Sequence, residues 1–187
     1  WAAAQKAIDR ALELDPGHRA ARRLEAAILA RAGQLDEARQ ALEVWLAVTD
    51  DDPRVDTRLR ASAQLDLAHL YLLAGKESKA RELLLALGSA PSDEIRRLCL
   101  LAAVDQALER PADALEDARS AQRADPHALM PLVQEALLLQ HDFHDSDAAV
   151  VAWRKVLAAT KGNPGLSALV QSLRARVVLE RAEAPAP

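Results

Sequence analysis

Alanine recurs at a nearly constant interval in this chain of 187 residues. The recurring positions are Ala4, Ala38, Ala80, Ala114 and Ala149, which lie 34, 42, 34 and 35 residues apart. The residues four and seven positions later continue one helical face, and they are mostly apolar: Ile8, Leu42, Leu84, Ala118 and Trp153, then Ala11, Trp45, Leu87, Ala121 and Val156. This spacing predicts a series of similar helical units.

The clearest unit is LDLAHLYLLAGKESKARELLLAL, residues 65–87. Ala68 and Tyr71 share one face of a first helix, and Gly75 ends that helix. Ala80 is the first residue on the apolar face of a second helix. The small side chains of Ala68 and Ala80 allow the two backbones to cross closely. A helix pair of this kind, repeated about every 34 residues, resembles the tetratricopeptide repeat (TPR).

The resemblance implies an all-α fold, a right-handed superhelical solenoid of antiparallel helix hairpins. In this family the first helices line a concave groove, where most members bind peptides or partner helices. The resemblance implies no catalysis.

On this basis we expect one TPR domain over residues 1–182. Its parts are an N-terminal half repeat at 1–15, hairpins at 18–48, 53–88, 92–124 and 127–160, a capping helix at 166–182, and a disordered tail at 183–187. The step of 42 residues predicts a longer first helix in the central repeat, with Asp52 as its N-cap and Pro53 as its first residue. Trp45, where the family usually has a small residue, is expected to fill a gap between repeats.

Composition limits the other possibilities. The net charge is −4 and the charges alternate in sign, so nucleic acid is not expected as a partner. No run of about 18 apolar residues occurs, so no direct membrane insertion is expected. The single cysteine excludes an internal disulfide but does not separate periplasm from cytoplasm. The opening at Trp1 within a helix indicates an excised fragment, and the content of Ala, Arg and Leu indicates a bacterial source.

The groove prediction rests on the first-helix faces not used within the hairpins. The predicted partner-binding residues are Arg23, Leu65, His69, Leu72, Arg96, Cys99, Met130, Val133 and Leu137. Their largely apolar character favours an apolar or amphipathic partner segment. A carboxylate clamp, which chaperone-binding members of the family use, is disfavoured because Ala27 and Ala103 replace polar clamp residues. The other interpretation of these apolar faces is that they are core.

Two other patterns suggest a functional site but are better explained by a structural role. The His and Asp residues of HDFHDSD, residues 141–147, have ligand types that suit zinc, but Asp145 or Ser146 is better explained as a helix N-cap. Arg96 and Arg97 could lower the pKa of the Cys99 thiol, but a small residue on a crowded helix face is the preferred interpretation. No catalytic motif, metal site or cofactor site is predicted.

The preferred hypothesis is a non-catalytic module that binds a peptide or helix of another protein, within a bacterial assembly or envelope complex. The alternative is a regulatory or substrate-presenting domain of a larger enzyme whose active site lies outside this chain. Self-association through the half repeat at Ala4, Ile8 and Ala11 is a third possibility.

Overall fold

The structure, a computed structural model, describes residues 2–49, 52, 55–87 and 93–161. Within these ranges every regular element is an α-helix, which confirms the predicted all-α repeat fold. The helices are α1 Ala2–Leu14, α2 Arg19–Arg31, α3 Leu35–Thr49, α4 Thr57–Leu73, α5 Glu77–Ala86, α6 Glu94–Ala107, α7 Pro111–Ala124, α8 Leu129–His141 and α9 Ser146–Ala159. None of the helices in this described part of the chain has the length and hydropathy needed to cross a membrane.

The chain divides into two compact units, residues 1–93 (unit 1) and 94–187 (unit 2). In unit 1, α2 packs against α3 and α4 packs against α5, while α1 packs on α2. In unit 2, α6 packs against α7 and α8 against α9. Short turns join the members of each pair, so each pair is an antiparallel hairpin.

In each hairpin, both helices bury an alanine at the equivalent position. The pairs are Ala26 with Ala38, Ala68 with Ala80, Ala102 with Ala114, and Ala136 with Ala149. A methyl group at these positions allows two helices to approach closely, which larger side chains would prevent. The recurring alanine of the sequence is therefore a packing requirement.

A residue with positive φ lies in each of the four hairpin turns. Gly33 and Gly75 adopt φ values of 80° and 65°, where a Cβ would be strained. The corresponding turns of unit 2 use Glu109 at 58° and His144 at 52°. Unit 2 therefore makes the same turn without glycine, which explains why its sequence departs from the family pattern.

Asp105 also departs from the repeat pattern, because it occupies a position that is apolar in most of the other repeats. Its side chain is buried, and its carboxylate lies 3.6 Å from Nε of Arg110 in the following turn. A charge-paired acid is thus accommodated where the other repeats place leucine or tyrosine.

The start of α4 differs from the prediction. The helix begins at Thr57 and its N-cap is Asp56, whose carboxylate accepts a hydrogen bond of 2.8 Å from the Arg58 N–H. Asp52 and Asp56 are both candidate N-caps in this sequence, and Asp56, the later of the two, caps the helix. Pro53 and the predicted capping helix at 166–182 lie outside the described residues. Ile8, predicted on an exposed edge, is buried where α1 packs on α2.

Candidate functional site

An open groove of about 830 Å³ runs through unit 1 between α2 and α4, with α3 as its floor. Its lining comprises Arg19, Ala20, Arg23, Leu24, Ala26, Ala27, Ala30, Leu35, Leu42, Trp45, Val55, Leu59, Asp66, His69, Leu70 and Leu73. In unit 2 the corresponding first helices, α6 and α8, pack directly on each other. The groove therefore occupies the place where the first helices of successive hairpins would otherwise meet.

The two walls differ in side-chain size. The α2 wall presents Ala20, Ala27 and Ala30, whereas the α4 wall presents Leu59 and Leu73. Both leucines are exposed to solvent, as is Leu24 on α2. Large exposed apolar side chains gathered around one concavity are typical of an interaction site.

The floor of the groove is part of the core of unit 1. Trp45 is buried, and its indole Nε1–H donates a hydrogen bond of 2.8 Å to the carbonyl oxygen of Arg19 on α2. Leu42 packs in the same cluster as Trp45. The predicted gap-filling role of Trp45 thus corresponds to a fixed floor between α2 and α4.

The segment between α3 and α4 holds the α4 wall in place. Arg60 donates hydrogen bonds to the carbonyl oxygens of Thr49 and Asp52, and the Asp52 carboxylate forms an ion pair with Arg19 on α2. Val55, from the same segment, is buried against the core and lines the groove. Asp52 and Val55 therefore help to fix the position of α4.

A second link joins α3 to α4 through Tyr71. Its hydroxyl donates a 2.8 Å hydrogen bond to Glu43, which also accepts one of 2.7 Å from Arg39. Burial, together with the bond to Glu43, raises the pKa of Tyr71 to about 12. Burial would raise the pKa of Glu43, but the bonds from Tyr71 and Arg39 hold it below the usual value, so the carboxylate is ionised.

A polar contact between α2 and α4 crosses the groove. The guanidinium of Arg23 on α2 donates a hydrogen bond of 3.2 Å to Oγ of Ser62 on α4. The ion pair of Arg19 with Asp52 lies on the lining as well. Most of the remaining surface is hydrocarbon, so the groove favours an apolar ligand.

Comparison with known proteins agrees with this geometry. Residues 1–62 match the sequence model of the family described as Tetratricopeptide repeat. This match covers about a third of the chain, so it shows a likeness of that segment to the family. The matched segment includes α1, α2 and α3, which supply one wall and the floor of the groove. No curated protein matches the sequence.

Three solved structures share the fold of this chain. A MamA double mutant designated RS-1 ArsTM has a TM-score of 0.68 at 15% identity, covering 84% of this chain and 83% of its own. PilF of Pseudomonas aeruginosa gives 0.67 at 20%, covering 94% and 75%. YrrB, described as a TPR protein with an unusual peptide-binding site, gives 0.59 at 17%, covering 93% and 88%. At these identities the similarity establishes the fold, an α-helical repeat array.

Two of the predicted binding residues of unit 1 line the groove and two do not. Arg23 and His69 belong to the lining, whereas Leu65 is buried at 1% exposure and Leu72 is half-buried outside it. Leu65 and Leu72 lie three residues before and four after Ala68, so they share the face that carries this fully buried alanine. The prediction that Leu65 is a free groove residue is wrong for this reason.

The predicted groove face of α4, which carries Leu65 and Leu72, is one residue out of register. It therefore does not include Leu59 and Leu73, the leucines that line the groove. Leu59, Asp66 and Leu73 are seven residues apart and therefore lie on one face, which also carries His69. The buried Ala68 could have located this face, since the exposed side of a helix lies opposite its most buried residue.

In unit 2 the predicted residues lie in different environments. Met130 on α8 and Arg96 on α6 are exposed, while Val133 and Leu137 are partly buried against the core of unit 2. Cys99 is buried, and burial raises the pKa of its thiol to about 11. Both the burial and the raised pKa oppose the reactive-thiol hypothesis, because an activated cysteine is accessible and has a lowered pKa.

The turn HDFHDSD caps the start of α9. The Asp145 carboxylate accepts a 3.0 Å hydrogen bond from the Ala148 N–H at the start of α9, as the N-cap interpretation predicts. Asp142 accepts one of 2.8 Å from the side chain of Gln106. Over the described part of the chain, no three His, Cys, Asp or Glu side chains converge as metal ligands.

Proposed function

We propose that this protein is a non-catalytic binding module whose unit 1 groove holds the apolar face of an amphipathic helix from a partner protein. The observation that carries the proposal is the exposure of Leu24, Leu59 and Leu73 around one open groove. A bacterial assembly or envelope complex is the proposed setting, supported by the composition and by the similarity to a Pseudomonas aeruginosa protein.

The polarity of the lining favours a helix over an extended peptide. An extended segment needs hydrogen-bond partners for its own backbone, and hydrocarbon walls of alanine and leucine offer none. Two of the polar lining residues, Arg19 and Arg23, already bond to Asp52 and Ser62. A helix forms its backbone hydrogen bonds internally, so it leaves the fewest backbone groups without a partner when it enters such a groove.

The exposed leucines can contribute substantially to binding. Full burial of a leucine side chain stabilises by about 2 kcal/mol. Leu24, Leu59 and Leu73 are each roughly half exposed, so covering them supplies about 1 kcal/mol each. Their sum of about 3 kcal/mol corresponds to about a hundredfold in affinity, before the contacts of the alanine wall are added.

The chain offers a matched pair of variants for the test. Leu73 lines the groove and Leu85 on α5 does not, yet both are 52% exposed. Leu73→Asp and Leu85→Asp therefore make the same chemical change at equal exposure. The ligand is a synthetic amphipathic peptide with leucine at positions i, i+3, i+4 and i+7, and the control is a scrambled peptide of the same composition.

Fluorescence anisotropy would give the affinities. We expect Leu73→Asp to weaken binding at least tenfold, because the carboxylate must be desolvated against an apolar face. Leu85→Asp should bind like the parent protein. Equal losses for the two variants, or equal binding of the scrambled peptide, would show that the groove is not the site.

A further inference from the structure

Unit 2 contains a buried carboxylate that holds two cations at the edge of a second pocket. Glu135 on α8 is 4% exposed. Its carboxylate accepts hydrogen bonds from Nε of Arg119 at 3.0 Å, Nε2 of Gln122 at 2.9 Å and Nζ of Lys155 at 3.2 Å. The donors come from α7 and α9, so one carboxylate on α8 fixes side chains from both neighbouring helices.

Glu135 is ionised in this environment. Burial would raise its pKa, but the hydrogen bonds from Gln122, Arg119 and Lys155 hold the pKa below the usual value. One negative charge thus faces two positive charges, and the cluster keeps an excess of one positive charge.

The two cations retain unused donors. Arg119 reaches Glu135 through Nε, and among the described residues its two terminal nitrogens have no hydrogen-bond partner. The side chains of Arg119 and Lys155 are 46% and 50% exposed, so these donors are open to solvent. Glu135 therefore positions two cationic groups and leaves some of their N–H donors available to a ligand.

These side chains border a pocket of about 740 Å³ at the carboxyl-terminal halves of α7 and α9. The lining comprises Arg119, Gln122, Arg123, Pro126, His127, Leu132, Glu135, Lys155, Ala158 and Ala159. Three lining residues are cations and one is an acid, which leaves an excess of two positive charges with histidine neutral. Glu116, bonded to Arg123 at 2.6 Å, reduces this excess to one.

We propose that this pocket binds a carboxylate of an acidic segment in a partner protein, with Arg119 and Lys155 as the contacting groups and Glu135 as the positioning residue. The guanidinium of Arg119 offers a planar pair of donors that suits a carboxylate. The whole chain carries a net charge of −4, so its long-range electrostatic field does not attract an acidic ligand. Such a ligand must bind at a local positive site. Its two contacting cations lie on the second helices α7 and α9 of unit 2, and the site does not depend on the groove of unit 1.

The test uses hexaglutamate as the probe, with hexaglutamine as the neutral control, in an NMR chemical-shift titration. Lys155→Gln removes a pocket cation, and Arg154→Gln makes the same charge change at the exposed neighbour, which does not line the pocket. Arg119→Gln combined with Glu135→Gln removes a pocket cation but leaves the net charge of the protein unchanged.

We expect hexaglutamate to bind the parent protein and to bind more weakly as salt concentration rises. Lys155→Gln and the Arg119/Glu135 double variant should each weaken binding about fivefold, while Arg154→Gln stays within about twofold. Equal effects of Lys155→Gln and Arg154→Gln, or equal binding of hexaglutamine, would overturn the proposal. If circular dichroism shows that either pocket variant is unfolded, Arg119→Gln alone, at a side chain that is 46% exposed, replaces it and should show the same loss.

Discussion

Truncation of Leu65 to alanine is expected to destabilise the protein severely, whereas the same change at Leu73 is expected to be mild. Both leucines lie on α4, within about two turns of each other. Leu65 is 1% exposed and Leu73 is 52% exposed. The comparison therefore measures which face of α4 is covered.

The magnitudes follow from burial. Removing a fully buried leucine side chain loses its transfer free energy and leaves a cavity, which together cost about 3 kcal/mol. Truncation of Leu73 loses about half of the transfer free energy of a leucine side chain. It leaves no closed cavity because this side chain already borders the open groove, so the cost is about 1 kcal/mol. For a chain of this length, 1 kcal/mol corresponds to about 3 °C in melting temperature, so the expected losses are about 9 °C and about 3 °C.

Thermal and urea denaturation followed by circular dichroism would measure both losses. Since the chain has two compact units, coincidence of the helicity and tryptophan fluorescence transitions must be checked before free energies are extracted. A Leu65→Ala variant that unfolds within about 0.5 kcal/mol of the parent protein would show that Leu65 is not a core residue. It would also restore the interpretation of Leu65 as a groove residue.

Two further predictions use residues that occur once in the chain. Tyr71, the single tyrosine, should form tyrosinate with a midpoint near pH 12, because its pKa is raised to about 12; ultraviolet absorbance follows this directly. The contribution of its protonated hydroxyl to the free energy of unfolding is complete below the unfolded pKa of about 10 and is lost as pH rises towards 12. An absorbance midpoint near pH 10 in protein with native helicity would contradict the contact with Glu43. Cys99, the single cysteine, should react with a thiol-specific disulfide reagent at pH 8 only after denaturation, because its pKa is raised to about 11; rapid modification of the native protein would disprove its burial.

Local sequence features account for the helices and their crossings. Alanines about one repeat apart are the residues that let each hairpin close, and the structure buries them in every pair, as at Ala68 and Ala80. Gly33 and Gly75 mark two of the four turns. The other two turns could not be recognised from glycine, because Glu109 and His144 adopt the same left-handed conformation.

The charged pocket of unit 2 was not predicted from the sequence. Glu135 bonds to side chains 13, 16 and 20 residues away, on the helices before and after its own. No short-range pattern brings those side chains together. The pairing depends on how α7, α8 and α9 pack, which is a property of the tertiary structure.

The all-α repeat fold is readable from the chain alone, because repeated small residues and turns are local requirements of a helical hairpin. Which helix faces stay open to solvent depends on how the helices pack. A helix inside a repeat array packs against neighbours on more than one side, so its apolar residues can be either core or surface. The packing on α4 covers Leu65 and leaves Leu73 beside the groove, and that difference now defines the residues to test.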